Sequence, residues 1–149
     1  MGNALKDQNK FKEAIEAYKK AISLKPNYVD AYGNMGNALK DQEKFDKAIE
    51  AYKNALSIKP DYDTAYNNIG VAFQDQGKLD EAIKFYKKAI AINPDYAEAH
   101  CNIGNALQVL GNFDEAIKSN NKAIMLKPNY VDAYLNCSSC LLYTSPSPR

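Results

Sequence analysis

Residues Val29–Tyr62 read VDAYGNMGNALKDQEKFDKAIEAYKNALSIKPDY. Small and apolar residues fall at helical spacing twice in this stretch. Tyr32, Met35, Gly36 and Leu39, with Ala31 and Ala38 beside them, mark one amphipathic helix, A. Phe45, Ala48, Ile49, Tyr52, Ala55 and Leu56 mark a second, B. Gln42-Glu43-Lys44 separates the two, and Pro60 cannot continue helix B. The stretch is therefore a helical hairpin, and it recurs. Pro26, Pro60, Pro94 and Pro128 stand 34 residues apart, each followed by Asn or Asp and then Tyr. A fixed period of this size indicates a repeat array, in which each hairpin buries its apolar face by stacking on the next. The predicted fold is an all-α solenoid of antiparallel helix-turn-helix units, an architecture that makes extended binding surfaces.

The turns and caps follow from residue type. Gly77 and Gly111 stand where unit two has Glu43 and the first unit has Asn9. Gly and Asn accept the left-handed backbone that ends a helix, so this turn is expected to be a C-cap, a role Glu43 fits less well. Asp46, Asp80 and Asp114 are expected to cap helix B, and Asp61 the next helix A. Asp95 and Glu98 have capping-box spacing. Gly36, Gly70 and Gly104 recur inside helix A, where Gly costs about 1 kcal/mol against Ala, so close helix approach is implied. Tyr18, Tyr52 and Tyr86 are expected to fill the gap toward the neighbouring unit, each burial contributing roughly 1.5–3 kcal/mol.

Eight positions now stand in register. Unit two has Tyr32, Met35, Gly36, Leu39, Ala48, Tyr52, Ala55 and Pro60. Unit three has Tyr66, Ile69, Gly70, Phe73, Ala82, Tyr86, Ala89 and Pro94. Unit four has His100, Ile103, Gly104, Leu107, Ala116, Asn120, Ala123 and Pro128. This pattern resembles the tetratricopeptide repeat (TPR) family over nearly the whole chain. The resemblance implies a right-handed superhelix that binds peptides or proteins in its concave groove. Asn120 departs from it, since an aromatic belongs there, and a weaker contact with the following segment is expected. The units are then 1–28 (a truncated first repeat), 29–62, 63–96 and 97–130, with 131–139 beginning a further helix A.

Both ends carry expectations of their own. Met1–Gln8 is identical to Met35–Gln42, so the chain is expected to open in the middle of a helix A, as a fragment of a longer protein. Residues 140–149, CLLYTSPSPR, resemble one reading frame of a widely used transposase sequencing adapter and are set aside from functional reasoning. The Cys137-x-x-Cys140 spacing loses its weight as a redox or metal motif with them, and Cys137 falls at the packing position of Met35, Ile69 and Ile103. Without its helix B, the last helix A would expose an apolar face, so self-association through the C-terminal end is expected.

Helix A carries a second, polar stripe. Unit two supplies Asp30, Asn34, Asn37 and Asp41; unit three Thr64, Asn68, Val71 and Asp75; unit four Glu98, Asn102, Asn105 and Val109; the last segment Asp132, Asn136 and Ser139; the first keeps Asn3 and Asp7. In the family this offset faces the groove. Asn34, Asn68, Asn102 and Asn136 recur at the repeat period, although Asn is a mediocre mid-helix residue. An amide offers donor and acceptor, so such a ladder could hold an extended peptide backbone. It resembles the asparagine ladder of the TPR superhelix in O-linked N-acetylglucosamine transferases. Passive copying by duplication is the competing explanation, since Lys25–Tyr32 and Lys127–Tyr134 are identical. The residue before each ladder Asn varies: Gly33, Asn67, Cys101, Leu135. Candidate peptide-binding residues are Asn34, Asn37, Asn68, Asn102, Asn105, Asn136, Asp41 and Asp75. Repeats that clamp a chaperone's C-terminal carboxylate use Lys and Arg on this stripe, and none stands at the matching positions here.

Other chemistries find no support. Lys plus Arg total 19 against 18 Asp plus Glu, a balance that argues for neither nucleic acid nor an anionic membrane. No apolar run is long enough to span a bilayer, and no signal-peptide layout opens the chain, so a cytoplasmic setting is the expectation. The single histidine, His100, replaces packing tyrosines, and neither a catalytic set, a phosphate loop nor a metal cluster accompanies it. No cofactor is expected. The leading expectation is a non-catalytic protein- or peptide-binding scaffold; the alternative is a substrate-recruiting region of a larger enzyme such as a glycosyltransferase.

Overall fold

The computed structural model describes residues 2–144, with side chains described for 7–143. Asn3 of the first-unit stripe and Ser145–Arg149 of the adapter-like segment lie outside the described side chains. The helices are α1 (Gly2–Leu24), α2 (Val29–Asp41), α3 (Phe45–Ile58), α4 (Asp63–Asp75), α5 (Leu79–Ile92), α6 (Ala97–Val109), α7 (Phe113–Leu126) and α8 (Val131–Thr144). No strand occurs among the described residues. Each helix packs on its chain neighbours, and α2–α3, α4–α5 and α6–α7 form the closest pairs. Successive A helices (α2, α4, α6, α8) also touch one another, whereas successive B helices (α3, α5, α7) do not. The A helices therefore line the inner, shorter path of the array and the B helices splay outside. The fold is an all-α helical repeat array.

Local chemistry explains the hairpins. Glu43, Gly77 and Gly111 adopt φ values of 59°, 78° and 83°. In each turn the next residue's N–H (Lys44, Lys78, Asn112) donates back to a helix A carbonyl (Leu39, Phe73, Leu107) at 2.9 Å. This is the six-to-one bond of a Schellman C-cap. At the other end of the unit, Lys59, Asn93 and Lys127 have φ of −126°, −127° and −138°, outside the helical region, as a following proline demands.

Three expectations are corrected. The turn at Asn9 is absent, and α1 runs unbroken from Gly2 to Leu24. Asn9 has no positive φ, and Asn is tolerated within a helix. The carboxylate caps are also absent. Helix B begins after Lys44, Lys78 or Asn112 and helix A after Tyr28, Tyr62 or Tyr96, none with a side-chain cap bond. Asp46, Asp80 and Asp114 sit inside the first turn, where they still complement the helix dipole. Asp46 accepts instead from Gln76 Nε2 of the next unit at 2.8 Å.

The third correction concerns the tyrosines. Tyr52 and Tyr86 are fully buried in cores shared with the next unit, through Ile69 and Ile103, but each ring also seats against its own hairpin. A Cβ added at Gly36 would meet Tyr52 Cε1 at 2.5 Å, and one at Gly70 would meet Tyr86 Cε1 at 2.5 Å. The glycines form a notch for the ring. In α6–α7 the notch of Gly104 holds the Asn120 amide, again 2.5 Å from an added Cβ. Asn120 is fully buried; Nδ2 donates to the Ala116 carbonyl at 3.0 Å, and Oδ1 has no partner. The consequence of this substitution thus falls inside the hairpin, not at the contact with α8. Beyond it, α8 continues past Ser139 to Thr144, and fully buried Cys140 takes the register of the buried Ala38, Ala72 and Ala106.

Candidate functional site

All eight candidate residues lie on A helices, so the fold gathers them on one layer. Asn34, Asp41 and Asp75 are exposed, while Asn37, Asn68, Asn102, Asn105 and Asn136 are half-buried. The half-buried ones are bonded to the protein. Asn68 Nδ2 donates to Asn37 Oδ1 at 3.3 Å, Asn102 Nδ2 to Asn67 Oδ1 at 3.1 Å, and Asn136 Nδ2 to Cys101 Sγ at 3.6 Å. The amides of Asn68, Asn102 and Asn136 thus tie their helices to the preceding A helix.

The residue before each ladder Asn selects the partner. Asn67 and Cys101 supply acceptors for Asn102 and Asn136. Gly33 has no side chain, and Asn68 turns to Asn37 instead. Gly33, Asn67 and Cys101 are buried, and Tyr62, Tyr96 and Tyr130 lie against them. A Cβ at Gly33 would stand 3.5 Å from the Tyr62 hydroxyl. Burial pushes the Tyr96 hydroxyl up from its ordinary pKa, and hydrogen bonds with Thr64 and Asn67 partly offset that. Burial likewise raises the Cys101 thiol, beside Tyr130 and Asn136, so it stays protonated at neutral pH. Composition did not reveal this coupling; the one signal was the invariant spacing of the motif tyrosines.

A second tier supports the first. Tyr52 Oη donates to Asn37 Oδ1 at 2.7 Å. Unit three has Val71 at the Asn37 position, and Gln74 takes over. Its Oε1 accepts from Tyr86 Oη at 2.7 Å, while Nε2 donates to Asn105 Oδ1 at 2.7 Å. Gln74 was missed as a site residue, although the lost Asn at position 71 marks the gap it fills. Desolvation raises the Tyr52 and Tyr86 pKa values, and the negative charges of Asp41 and Asp75 add to this. Both carboxylates therefore stand close to the tier while facing solvent, and Asp30, Glu98 and Asp132 are exposed along the same helices. Among the described residues no three His, Cys, Asp or Glu side chains are placed to hold a metal ion. No helix among the described residues is long and apolar enough to cross a membrane.

Comparison with known families settles what kind of array this is. A family model described as "TPR repeat" matches residues 2–43, 36–77 and 72–111, and one described as "Tetratricopeptide repeat" matches 97–130. The chain belongs to the tetratricopeptide repeat family. Among solved structures, it is similar to the crystal structure of MamA, with 29% identity and a TM-score of 0.82 over 96% of this chain and 84% of that one. The fold is also shared with the first TPR of Spaghetti (RPAP3) bound to the HSP90 peptide SRMEEVD. There the identity is 24% and the TM-score 0.76, covering 79% of this chain and 94% of that one. The Arabidopsis OM64 TPR domain aligns at 23% identity and a TM-score of 0.75, covering 77% and 95%. No curated protein matches the chain.

Proposed function

We propose that this TPR array is a non-catalytic protein-binding scaffold whose A-helix layer takes an extended segment of neutral or basic character. The observation that carries this reading is the contact of successive A helices, which joins their polar stripes into one face from α2 to α8. Exposed Asp30, Asp41, Asp75, Glu98 and Asp132 give that face an acidic lean. Asn68, Asn102 and Asn136 each commit one Nδ2 hydrogen to the preceding helix, so the oxygen and the second N–H are the groups offered to a ligand's backbone. The structural neighbour from Spaghetti is bound to the HSP90 peptide SRMEEVD, a net acidic sequence. In this chain the stripe presents Asp30, Gly33, Thr64, Asn67, Glu98 and Cys101 where a carboxylate clamp would need cations, so a different ligand charge is inferred.

The test is binding of basic, neutral and acidic unstructured peptides to the chain and to a variant carrying Asp30→Asn, Asp41→Asn, Asp75→Asn and Glu98→Gln. The expected order is basic above neutral above acidic, with the variant losing about tenfold for the basic peptide at low salt. Preference for the acidic peptide would sink the charge assignment. Failure of every peptide to bind would sink the scaffold reading itself.

A further inference from the structure

On the outer side of the array a pocket of about 360 Å³ lies between α1 and α3. Its floor is apolar: Ile15 of α1, Met35 and Leu39 of α2, and Ala51 of α3. The side of α1 that lines it, Lys12, Ile15, Glu16 and Lys19, lies opposite the Ala14, Tyr18 and Ala21 side of the same helix. In the next groove, between α3 and α5, one residue narrows the same place. Phe85 has the register of Ala51, and its ring lies on Phe73 of α4 with centroids 5.4 Å apart. Ala51 has no atoms to cover Leu39 in that way, so the α1–α3 groove stays open. The hollow that remains between α3 and α5 runs along Ile49 and Phe73 and is rimmed by Asp46, Glu50 and Lys53.

The rims differ in charge as the floors differ in shape. Around the α1–α3 pocket stand Lys12, Lys19, Lys44 and Lys47 against Glu16 and Glu50, all exposed. Lys19 pairs with Glu16 at 3.3 Å, and no other ion pair forms among the described residues. Lys12 is the decisive exchange. It has the register of Asp46, whose carboxylate accepts from Gln76 Nε2 at 2.8 Å. Gln42 has the register of Gln76 and shares the pocket wall with Lys12, but an ammonium accepts no hydrogen bond. The α1–α3 pocket therefore keeps the amide and lacks the carboxylate. We propose that this pocket is a second binding site, for an acidic peptide segment of a partner protein that lays one large apolar side chain on Ile15, Met35 and Leu39. A flanking carboxylate of that segment takes the place of Asp46, accepting from Gln42 and facing Lys12 and Lys44. Lysines stand on both banks, Lys12 and Lys19 on α1, Lys44 and Lys47 at the start of α3. A segment with acidic residues on both sides of its apolar residue matches that rim better than a small molecule with one carboxylate. The site is separate from the inner layer and has the opposite charge preference.

Fluorescence anisotropy of the full chain with a labelled Gly-Ser peptide carrying Glu-Glu-Phe-Glu-Glu tests this. The expected result is saturable binding that weakens about tenfold when the peptide's phenylalanine is replaced by alanine. Ala51→Phe, which fills the pocket as Phe85 fills the next, should also cost about tenfold, and the Lys12→Gln, Lys44→Gln double variant about fivefold at low salt. Circular dichroism checks that both variants keep their helices. Should Ala51→Phe unfold the chain, the methyl signals of Met35 and Leu39 in the unaltered chain carry the same test, and both are expected to shift on adding the peptide. Absence of saturable binding would overturn the proposal. So would binding indifferent to the alanine peptide and to Ala51→Phe, which would mean charge attraction alone, or peptide-induced shifts that avoid Met35 and Leu39. Equally tight binding of phenylpropionate would overturn the assignment to a peptide.

Discussion

The hairpins α4–α5 and α6–α7 share a backbone plan and a glycine notch, yet a tyrosine ring fills one and an amide fills the other. In α4–α5, Tyr86 lies over Gly70 and its hydroxyl reaches Gln74, which in turn bonds Asn105 of the next unit. In α6–α7, Asn120 lies over Gly104, bonds only its own helix through Nδ2, and leaves Oδ1 buried without a partner. The first hairpin is locked internally and tied to its neighbour by the same residue. The second is packed by a small polar group that reaches no other unit. The backbone of the repeat thus requires only the notch, and the occupant decides how much the hairpin contributes to stability and coupling.

The largest separation between the two hairpins should come from truncation. Tyr86→Ala should cost about 3–5 kcal/mol in urea unfolding, as large aromatic deletions in a core do. Asn120→Ala should change stability by less than about 1 kcal/mol, because the lost bond to Ala116 is offset by removal of the unsatisfied oxygen. Equal costs would break the comparison. The reverse exchange sharpens it: Asn120→Tyr should raise stability by about 1–2 kcal/mol through added buried area and a hydroxyl in reach of the A-helix tier. A lower midpoint would mean that the fourth notch has been reshaped around its amide.

Alkaline titration probes the hairpins without a mutation. Burial holds the Tyr52 and Tyr86 hydroxyls well above their ordinary pKa in the folded chain. Their contribution is fully present below the unfolded value of about 10 and is lost as pH rises above it, since only the unfolded state then ionises readily. Amide exchange above that pH should accelerate in α2–α3 and α4–α5, while Tyr130, raised by burial beside Cys101 of α6, adds a similar alkaline loss at the contact with α6. The Tyr52→Phe, Tyr86→Phe double variant should flatten the alkaline loss. The smallest expected effect lies on the inner layer. Asn102→Ala should cost about 0.5–1.5 kcal/mol by cutting its bond to Asn67, while exposed Asn34→Ala should stay within about 0.5 kcal/mol. This differs from the reading of the ladder as ligand-facing alone, under which neither change would touch stability.

The parts of the fold legible in the sequence are those that the repeat states several times. The period, the two helices per unit and the turn between them were readable from Pro60, Gly70 and Ala82 and their copies. Glu43 reads as a poorer fit to the left-handed turn, yet it adopts it with Gly77 and Gly111, because the register of the repeat outweighs residue preference. What could not be read depends on three-dimensional partners. That Tyr52 faces the glycine of its own hairpin needs the crossing geometry of two helices. The continuity of α1 through Asn9 could not be read either, because Asn accepts both a left-handed turn and a helix interior. The candidate site divides the same way. The stripe and its acidic lean were legible as spacing and charge. The bonds from Asn68, Asn102 and Asn136 to the preceding helix were not, because each partner is chosen by a side chain 31 or 35 residues earlier.

The most direct test of the account is an NMR titration of the full chain with the basic peptide that binds best, following backbone and asparagine side-chain amides. The account predicts shifts on α2, α4 and α6, including the side-chain amides of Asn34, Asn68 and Asn102, with the outer faces of α3, α5 and α7 unmoved. Shifts concentrated on the B helices, with those amides unchanged, would contradict it and place the binding surface on the outside of the array.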